Sequence, residues 1–313
     1  MTRDYYNLVG KLNGKRNFQV DDYLEAKTGA MINFFRQERI DSVVIGLSGG
    51  IDSAVVLALL MRCVNVEGDI GPLKRVVAIS MPMYCNGATG QDEAVERATE
   101  MASLYKDEPA FEFKIADLTT AFVAYTSKDV KDCERSRWAF GQLVSVIRTP
   151  YLYYQAAGLQ DEGFSSIVVG TTNRDEGSYI GFYGKASDGM VDLQPIADLH
   201  KLEVYDVALK LKIPNSIMDS VPKGDVYDGS VDEEMIGSTY EFLGLYLMAK
   251  EFNMVPELIM VLSNESDDIF AKYIGYIRNI ERLHNKNRHK YKVGMPSRFV
   301  NVLNSKIEGG WQC

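Results

Sequence analysis

The sequence lacks the features that would assign it to several common classes of protein. None of its apolar runs reaches the roughly 18 residues that a membrane-spanning helix needs, and its polar start is unlike a secretory signal. The four cysteines form no C-x-x-C pair, which indicates reduced cytosolic thiols rather than a disulfide framework. We therefore expect a cytoplasmic protein with no membrane partner.

Positive charge is also in short supply. Lys and Arg number 34 against 43 Asp and Glu, so the formal net charge is −9. A nucleic-acid-binding surface needs excess positive charge to neutralise phosphates, so this composition argues against nucleic acid as a partner. The hydrophobic content of 46% and the charged content of 25% are typical of a globular chain with a substantial core.

The most informative segment is a loop of small residues between two apolar runs. The pattern predicts a buried strand at residues 42–47 and a helix at 53–64. The loop between them has the sequence Ser-Gly-Gly-Ile-Asp-Ser from Ser48 to Ser53. Glycines let the backbone approach a ligand, and the free N–H groups at a helix N-terminus favour an anion. The segment therefore predicts a site for nucleotide phosphates, in which Asp52 holds a metal ion that the phosphates also touch.

No lysine follows Gly50, so the loop is not a Walker A motif. S-G-G-x-D-S instead resembles the signature of the N-type ATP pyrophosphatases. Members of that superfamily adenylate an oxygen of their substrate, release pyrophosphate, and let a nitrogen or sulfur nucleophile displace AMP. The resemblance assigns this part of the chain to ATP binding through Gly46, Leu47, Ser48, Gly49, Gly50, Ile51, Asp52 and Ser53.

Strands and helices alternate along the chain. Beyond the loop, the patterns predict strands at 76–82, 111–115 and 166–171 and helices at 20–38, 91–105, 200–211 and, interrupted at Pro150, 135–157. This alternation predicts an α/β fold, a doubly wound parallel sheet with helices on both faces, as in the adenine nucleotide alpha hydrolase-like proteins that the loop resembles. Ligands of such sheets bind at the carboxyl ends of the strands, where the Ser-Gly-Gly loop and the loop at Thr171 both lie.

A second motif follows the fourth predicted strand. The run from Gly170 to Glu176, together with the stretch from Gly181 to Val204, resembles the NAD synthetase pattern G-T-x-N-x-x-E … K-x-x-D-G … D-x-x-P-x-x-x-L-x-K-x-x-V. Sister enzymes of the superfamily share the first loop but not this block. With the Ser-Gly-Gly loop, the match makes the chain resemble the ammonia-dependent NAD synthetases over about residues 20–295.

That resemblance implies a ligase that forms a carbon–nitrogen bond. Its substrate is nicotinic acid adenine dinucleotide (deamido-NAD), which is amidated to NAD through an acyl-adenylate, with ammonia as the nitrogen donor and AMP and pyrophosphate as products. ATP is the co-substrate, and Mg²⁺ is held by Asp52 and Glu176.

The resemblance also assigns roles to single residues. Asp52, Lys201 and Asp188 are the expected catalytic residues, and Asp188 takes a proton from the attacking ammonia. Thr171, Lys201 and Lys223 are the expected ATP contacts beyond the first loop. The expected deamido-NAD contacts are Arg148, Lys185, Asp192, His289 and Lys290.

The chain departs from the family pattern at four places. Val146 stands where the family has an arginine, so Arg148 is expected to replace it, and Lys223 stands where the lid has a hydroxyl residue. Tyr291 ends a triplet that usually ends in arginine. The stretch between 176 and 181 is one residue longer than usual, which we expect to displace Lys185 and Asp188.

We expect residues 1–313 to form a single NAD synthetase domain. Residues 1–18 are predicted to be a flexible arm, and 217–231 a mobile lid loop that keeps water from the adenylate. The chain before the first strand is too short for a glutaminase, so ammonia is expected to arrive free or from a separate glutaminase. The resemblance also implies a homodimer, with the helices around 118–157 at its interface.

Two alternatives remain open on the sequence. One is another N-type ATP pyrophosphatase that amidates or thiolates a different acid, a reaction in which Cys85 would matter. The other is a nucleotide-binding regulator that has lost turnover. The altered Val146 and Tyr291 keep this second alternative open, although Asp52, Glu176 and Lys201 are all intact.

Overall fold

The structure is a computed structural model, and it describes residues 1–66, 69–84, 91–127, 137–221 and 231–292. Its strands are β1 (Ser42–Gly46), β2 (Asn65–Val66), β3 (Asp69–Ile70), β4 (Arg75–Ser80), β5 (Phe111–Ile115) and β6 (Ser166–Val169). Its helices are α1 (Arg3–Arg16), α2 (Val20–Glu38), α3 (Ile51–Met61), α4 (Gln91–Ser103), α5 (Thr119–Thr126), α6 (Arg137–Asp161), α7 (Lys201–Lys210), α8 (Asn215–Met218), α9 (Asp232–Ile236), α10 (Tyr240–Glu251), α11 (Val255–Ser263), α12 (Asp267–Asn287) and α13 (His289–Lys292), with a π-helix at Asp175–Ile180.

A four-stranded parallel sheet forms the centre of the molecule, in the order β5-β4-β1-β6. Val44 of β1 pairs with Val77 of β4 on one side and with Val168 of β6 on the other. The chain builds the sheet outward from β1 through β4 to β5 and then returns to the other side of β1. The carboxyl ends of β1 and β6 therefore flank a switch point in strand order, which is where ligands of such sheets bind.

Helices cover both faces of the sheet. Val43 and Ile45 belong to a core cluster with α2, α3 and α7, whereas Val44 belongs to a cluster with α5 and α6. This division follows from the two-residue repeat of a strand, which sends alternate side chains to opposite faces. The predicted α/β fold with a doubly wound parallel sheet is confirmed.

Helix α3 is apolar around its whole circumference because it packs against β1, β4, α7 and α8. It begins at Ile51, two residues before the predicted start at 53. Asp52 and Ser53 therefore lie in its first turn, next to the unpaired backbone N–H groups of the helix.

The prediction of a flexible arm at residues 1–18 is wrong. Helix α1 occupies most of this segment, and its Tyr5, Leu8 and Leu12 are buried. These side chains pack in a third core cluster with α10, α11 and α12. Their spacing of three and four residues is helical, but the exposed glycines and polar residues between them hide that pattern in the sequence.

The predicted interruption of α6 at Pro150 is also wrong, since the helix continues from Arg137 to Asp161. A proline inside a helix removes one backbone hydrogen bond. Pro150 lies on the exposed side of α6, where water can take that bond.

Among the described residues, no helix combines the length and the apolar character needed to cross a bilayer. Cys63 is buried in the core with a free thiol, and burial raises the pKa of that thiol to about 12. It is thus an inert core residue, as expected. Cys85, Cys133 and Cys313 lie outside the described residues.

Candidate active site

The loop between β1 and α3 turns tightly against α4. Gly49 has a φ of +79°, a left-handed value that residues with a side chain rarely adopt. A Cβ atom on Gly49 would also lie 2.3 Å from the backbone oxygen of Ala94. Only glycine therefore fits at this position, and the loop backbone comes into direct contact with α4.

Two serines fold the loop onto itself. Ser53 Oγ donates to the Gly50 carbonyl at 2.9 Å and accepts the Ser48 N–H at 3.3 Å. Ser48 Oγ accepts the Gly50 N–H at 3.2 Å. Arg97 of α4 donates from Nε to the Gly49 carbonyl at 2.9 Å, a contact that no motif in the sequence predicted. These bonds fix the shape of the loop through its own residues and α4.

Three charged side chains from separate segments meet at the start of α3. Lys201 Nζ lies 2.5 Å from Asp52 Oδ2 and 3.5 Å from Glu176 Oε1. Asp52 comes from the first turn of α3, Glu176 from the π-helix, and Lys201 from the first residue of α7. The structure thus brings together the two acids predicted to hold a metal and the lysine predicted to contact ATP.

Asn173 joins the two acidic segments. Its side chain is fully buried, its Nδ2 donates to Asp52 Oδ1 at 3.0 Å, and its Oδ1 accepts the Glu176 N–H at 3.1 Å. An amide suits this position because it carries a donor and an acceptor together. Asn173 therefore sets the spacing between Asp52 and Glu176. It belongs to the G-T-x-N-x-x-E motif, but its role was not predicted.

Tyr240, the first residue of α10, completes this cluster. Its hydroxyl lies 2.8 Å from Glu176 Oε1 and 3.4 Å from Asp232 Oδ2. Its ring centroid lies 5.1 Å from Lys201 Nζ, a distance at which a cation interacts with an aromatic face. Tyr240 thus brings a further segment of the chain to these acids, and only the tertiary structure shows this contact.

Burial and neighbouring charges change the proton affinities in the cluster. Burial raises the pKa of Glu176 to about 7, and Asp52 and Asp232 add to this rise while Lys201 opposes it. Burial alone would lower the pKa of Lys201, but Asp52 and Glu176 outweigh it and raise that pKa above its usual value. Lys201 is therefore a permanent cation between two acids.

The donor set of this cluster fits a magnesium ion. No group of three or more His, Cys, Asp or Glu side chains in the described part of the chain forms a metal site by itself. Asp52 and Glu176 nevertheless both lie beside Lys201 Nζ, and carboxylate oxygen is the donor that Mg²⁺ prefers. Protein sites for Mg²⁺ often supply only one or two carboxylates, with phosphates and water as the other ligands.

A cleft opens beside the cluster at the carboxyl ends of β1, β4 and β6. Its empty volume is about 800 Å³, including space open to solvent. Arg148 stands in its wall and donates from Nε to the Met81 carbonyl at 3.1 Å. The predicted site residues that line the cleft are Gly46, Leu47, Ser48, Arg148, Thr171 and Asp188.

Comparison with known proteins identifies the family. Residues 23–294 match the model of the NAD synthase family. The chain belongs to the NAD synthase family. The NH(3)-dependent NAD(+) synthetase of Thermoplasma acidophilum is 34% identical over 72% of this chain and 85% of its own length. That of Methanococcoides burtonii is 33% identical over 64% of this chain and 69% of its own length.

A solved structure agrees on the fold. The NMN synthetase of Francisella tularensis superposes with a TM-score of 0.68, covering 89% of this chain and 98% of its own, at 24% sequence identity. This likeness supports the same arrangement of sheet and helices in a NAD synthase chain.

Three of the NAD synthase residues expected to contact deamido-NAD, namely Lys185, His289 and Lys290, form a second group. Lys185 Nζ donates to the His289 carbonyl at 3.3 Å. Lys290 Nζ donates to the carbonyl oxygens of Gly181, at 2.6 Å, and Tyr183. Burial lowers the pKa of Lys290 to about 8. This group therefore places basic side chains beside the stretch that follows the π-helix.

Both carboxylate oxygens of Asp192 contact other residues of the chain. Its Oδ2 accepts the Val168 N–H at 2.8 Å, and the Tyr153 hydroxyl lies 3.3 Å from its Oδ1. The carboxylate thus attaches its own segment to β6, and its contact with substrate stays a prediction. Lys223 and most of the predicted lid lie outside the described residues, whereas Ile217 and Met218 at its start belong to α8.

The stretch between 176 and 181, which was expected to be one residue longer than in the family, forms most of the π-helix. Each π-helical turn holds about one residue more than an α-helical turn, and the Gly181 N–H donates to the Glu176 carbonyl five residues back. Helix α12 supports this turn, because the His284 ring stacks on Tyr179 with centroids 3.9 Å apart. Asp188 lines the cleft, and its expected displacement stays a prediction.

Proposed function

We propose that this chain is an ammonia-dependent NAD synthetase, a ligase that converts deamido-NAD to NAD. The observation that carries the proposal is the meeting of Asp52, Glu176 and Lys201 beside a preorganised Ser-Gly-Gly loop. Relatives that are at least 33% identical bear the name NH(3)-dependent NAD(+) synthetase, which supports the same reaction here.

The reaction proceeds in two steps. The nicotinate carboxylate oxygen attacks the α-phosphorus of ATP, and the bond to pyrophosphate breaks. Ammonia then attacks the acyl carbon, loses a proton, and expels AMP. In the first step negative charge builds on the phosphates, so the loop N–H groups and the Lys201 ammonium stabilise it.

Asp52 and Glu176 are the residues that would hold Mg²⁺. When bound, the ion supplies positive charge that neutralises the phosphates. Asn173 and Tyr240 hold the two carboxylates in place through the contacts described above.

Asp188 is the proposed acceptor for the proton that ammonia loses. It lines the cleft, and Ser187 Oγ donates to its Oδ2 at 3.2 Å. A carboxylate beside the acyl carbon is the type of group that general base catalysis needs.

We also propose a nitrogen donor, an oligomeric state and a cellular compartment. The nitrogen donor is free ammonia or the product of a separate glutaminase. The chain acts as a homodimer in the cytoplasm, as the family resemblance implies, and exposed apolar side chains on α5 and α6 (Val123, Tyr125 and Tyr154) support a dimer contact there.

The deciding experiment mixes the purified protein with Mg-ATP, deamido-NAD and ammonium, and quantifies NAD, AMP and pyrophosphate. We expect one AMP and one pyrophosphate for each NAD. A parallel reaction contains the acid form of NMN, because a structural neighbour is named an NMN synthetase. Pyrophosphate release with another acid only, or ATP binding without turnover on any acid, would overturn the proposal.

A further inference from the structure

Buried ion pairs from α1 and α2 hold the segment that carries Lys201. Lys27 of α2 lies 3.0 and 2.9 Å from the two carboxylate oxygens of Asp198, and both side chains are 0% exposed. Tyr23 donates its hydroxyl to Asp198 Oδ1 at 3.1 Å. Asp198 thus anchors this segment three residues before Lys201.

Arg16, the last residue of α1, anchors the other side. Its Nε and Nη2 donate to the two carboxylate oxygens of Glu203 at 2.7 and 2.8 Å. Nη2 also donates to the backbone oxygen of Asp198 at 2.7 Å. One guanidinium therefore binds the segment both before and after Lys201, in the fork geometry that fixes orientation as well as distance.

The Arg16 anchor reaches the residue before Lys201, and a second carboxylate binds the backbone of Lys201. Glu203 Oε2 accepts the His200 N–H at 2.8 Å. Asp175 Oδ2 accepts the Lys201 N–H at 2.7 Å, and Asp175 Oδ1 lies 2.6 Å from His200 Nδ1. The start of α7 is therefore fixed by Arg16 through Glu203 on one side and by Asp175 on the other.

Buried ion pairs are a poor means of adding stability, because desolvation offsets much of their attraction. The side chains of Arg16 and Glu203 are only 4% and 10% exposed, so this pair bears that cost. Such a pair instead holds the two segments that it joins in one relative orientation. Arg16 lies outside residues 23–294, which match the family model, whereas Glu203 lies within them.

We propose that Arg16 is a positioning residue for Lys201, through which α1 sets where the ammonium meets the phosphates of ATP. The proposal rests on the ATP-binding role proposed for Lys201.

The test measures MgATP affinity by calorimetry on the full chain, which does not depend on NAD formation. The variant Arg16→Met with Glu203→Gln removes the ion pair without leaving a buried charge, and the glutamine oxygen still accepts the His200 N–H. Lys11→Met is the matched control, because Lys11 pairs with Glu257 at 3.1 Å from an exposed position on the same helix. Each variant is also made in a Lys201→Met background, and thermal melts monitor folding.

We expect the Arg16 double variant to lose about tenfold in MgATP affinity and Lys11→Met to lose none. In the Lys201→Met background the double variant should cause no further loss, because its effect passes through Lys201. An equal loss in both backgrounds, or no loss in either, would overturn the proposal. If ATP binds as expected but no NAD forms, the proposed function fails while the role of Arg16 stands.

Discussion

Single side chains with two partners define the chemistry of this site. Asn173 bonds to Asp52 and to the backbone of Glu176, and Tyr240 contacts Glu176 and Asp232. Each helps to hold a carboxylate whose ionised form loses solvation when it is buried. The two side chains come from different parts of the sequence. Removing such a partner leaves a buried carboxylate with fewer hydrogen bonds, which destabilises its ionised form.

Tyr240→Phe removes the hydroxyl that contacts Glu176 and keeps the ring beside Lys201. We expect kcat to fall roughly tenfold and the Mg²⁺ requirement to rise, since a hydrogen bond to a charged group contributes about 1.5–3 kcal/mol. Steady-state kinetics over a magnesium titration measure both effects. Tyr246→Phe is the control, because Tyr246 lies on the same helix and contacts Glu281 instead, at 2.6 Å. Equal kinetics in the two variants would contradict the role of Tyr240.

Lys290 gives a prediction about pH. Its pKa of about 8 means that it is a cation below that pH and becomes neutral as the pH rises through it. Deamido-NAD is anionic, so its KM should increase from about pH 7 to about pH 9 as this charge is lost. Lys290→Arg, which stays charged, should remove the increase. A KM that is flat across this range in the wild-type protein would argue against contact between Lys290 and the substrate.

At the scale of elements, α1 and the π-helix account for two of the deviations from sequence-based expectation. Three apolar residues at helical spacing do not stabilise an isolated helix in water. They stabilise α1 here because α10, α11 and α12 provide a surface that buries them. The π-helix carries Glu176 and ends before Gly181, in a stretch for which the sequence pattern predicted no helix.

Leu12→Ala tests whether α1 is an integral part of the core. Leu12 is fully buried, so we expect the free energy of unfolding to fall by about 2–5 kcal/mol. Chemical denaturation followed by circular dichroism measures this loss. Asn13→Ala, on the exposed side of the same helix, should change stability by less than about 0.5 kcal/mol. Similar denaturation midpoints for Leu12→Ala and the wild type would mean that α1 is not part of the folded core.

At the scale of the whole molecule, α5 and α6 carry large apolar side chains that are exposed to solvent. Val123, Tyr125 and Tyr154 are 51%, 66% and 69% exposed on α5 and α6. These are the helices that the family resemblance assigns to a dimer interface. A surface that another protein covers exposes large apolar groups in the free chain, so we test these helices for a dimer contact.

Tyr154→Glu places a charge in that surface and should shift the protein from dimer to monomer. Sedimentation should give a mass of twice 35.1 kDa for the wild type and of one chain for the variant. Met260→Glu, which changes a 60% exposed residue on α11, is the control and should remain dimeric. A wild-type protein that sediments as a single chain would refute the proposed dimer.

The amino-acid sequence by itself determined the fold class and most of the chemistry. Alternating apolar runs specify strands and helices locally, and parallel strands must place their following loops at one edge of the sheet. This pattern placed the Ser-Gly-Gly loop and the loop at Thr171 at one edge, and the resemblance to the NAD synthetases added the roles of Asp52, Glu176 and Lys201.

The tertiary structure alone decided which groups support that chemistry. Arg97 contacts the Ser-Gly-Gly loop, Tyr240 contacts Glu176, and Arg16 binds Glu203 beside the segment of Lys201. Contacts between residues so far apart in sequence leave no local pattern. The same reason explains α1, whose helix depends on a surface made by residues more than two hundred positions later. Local periodicity predicts the elements, whereas long-range packing selects the partners of each buried charge.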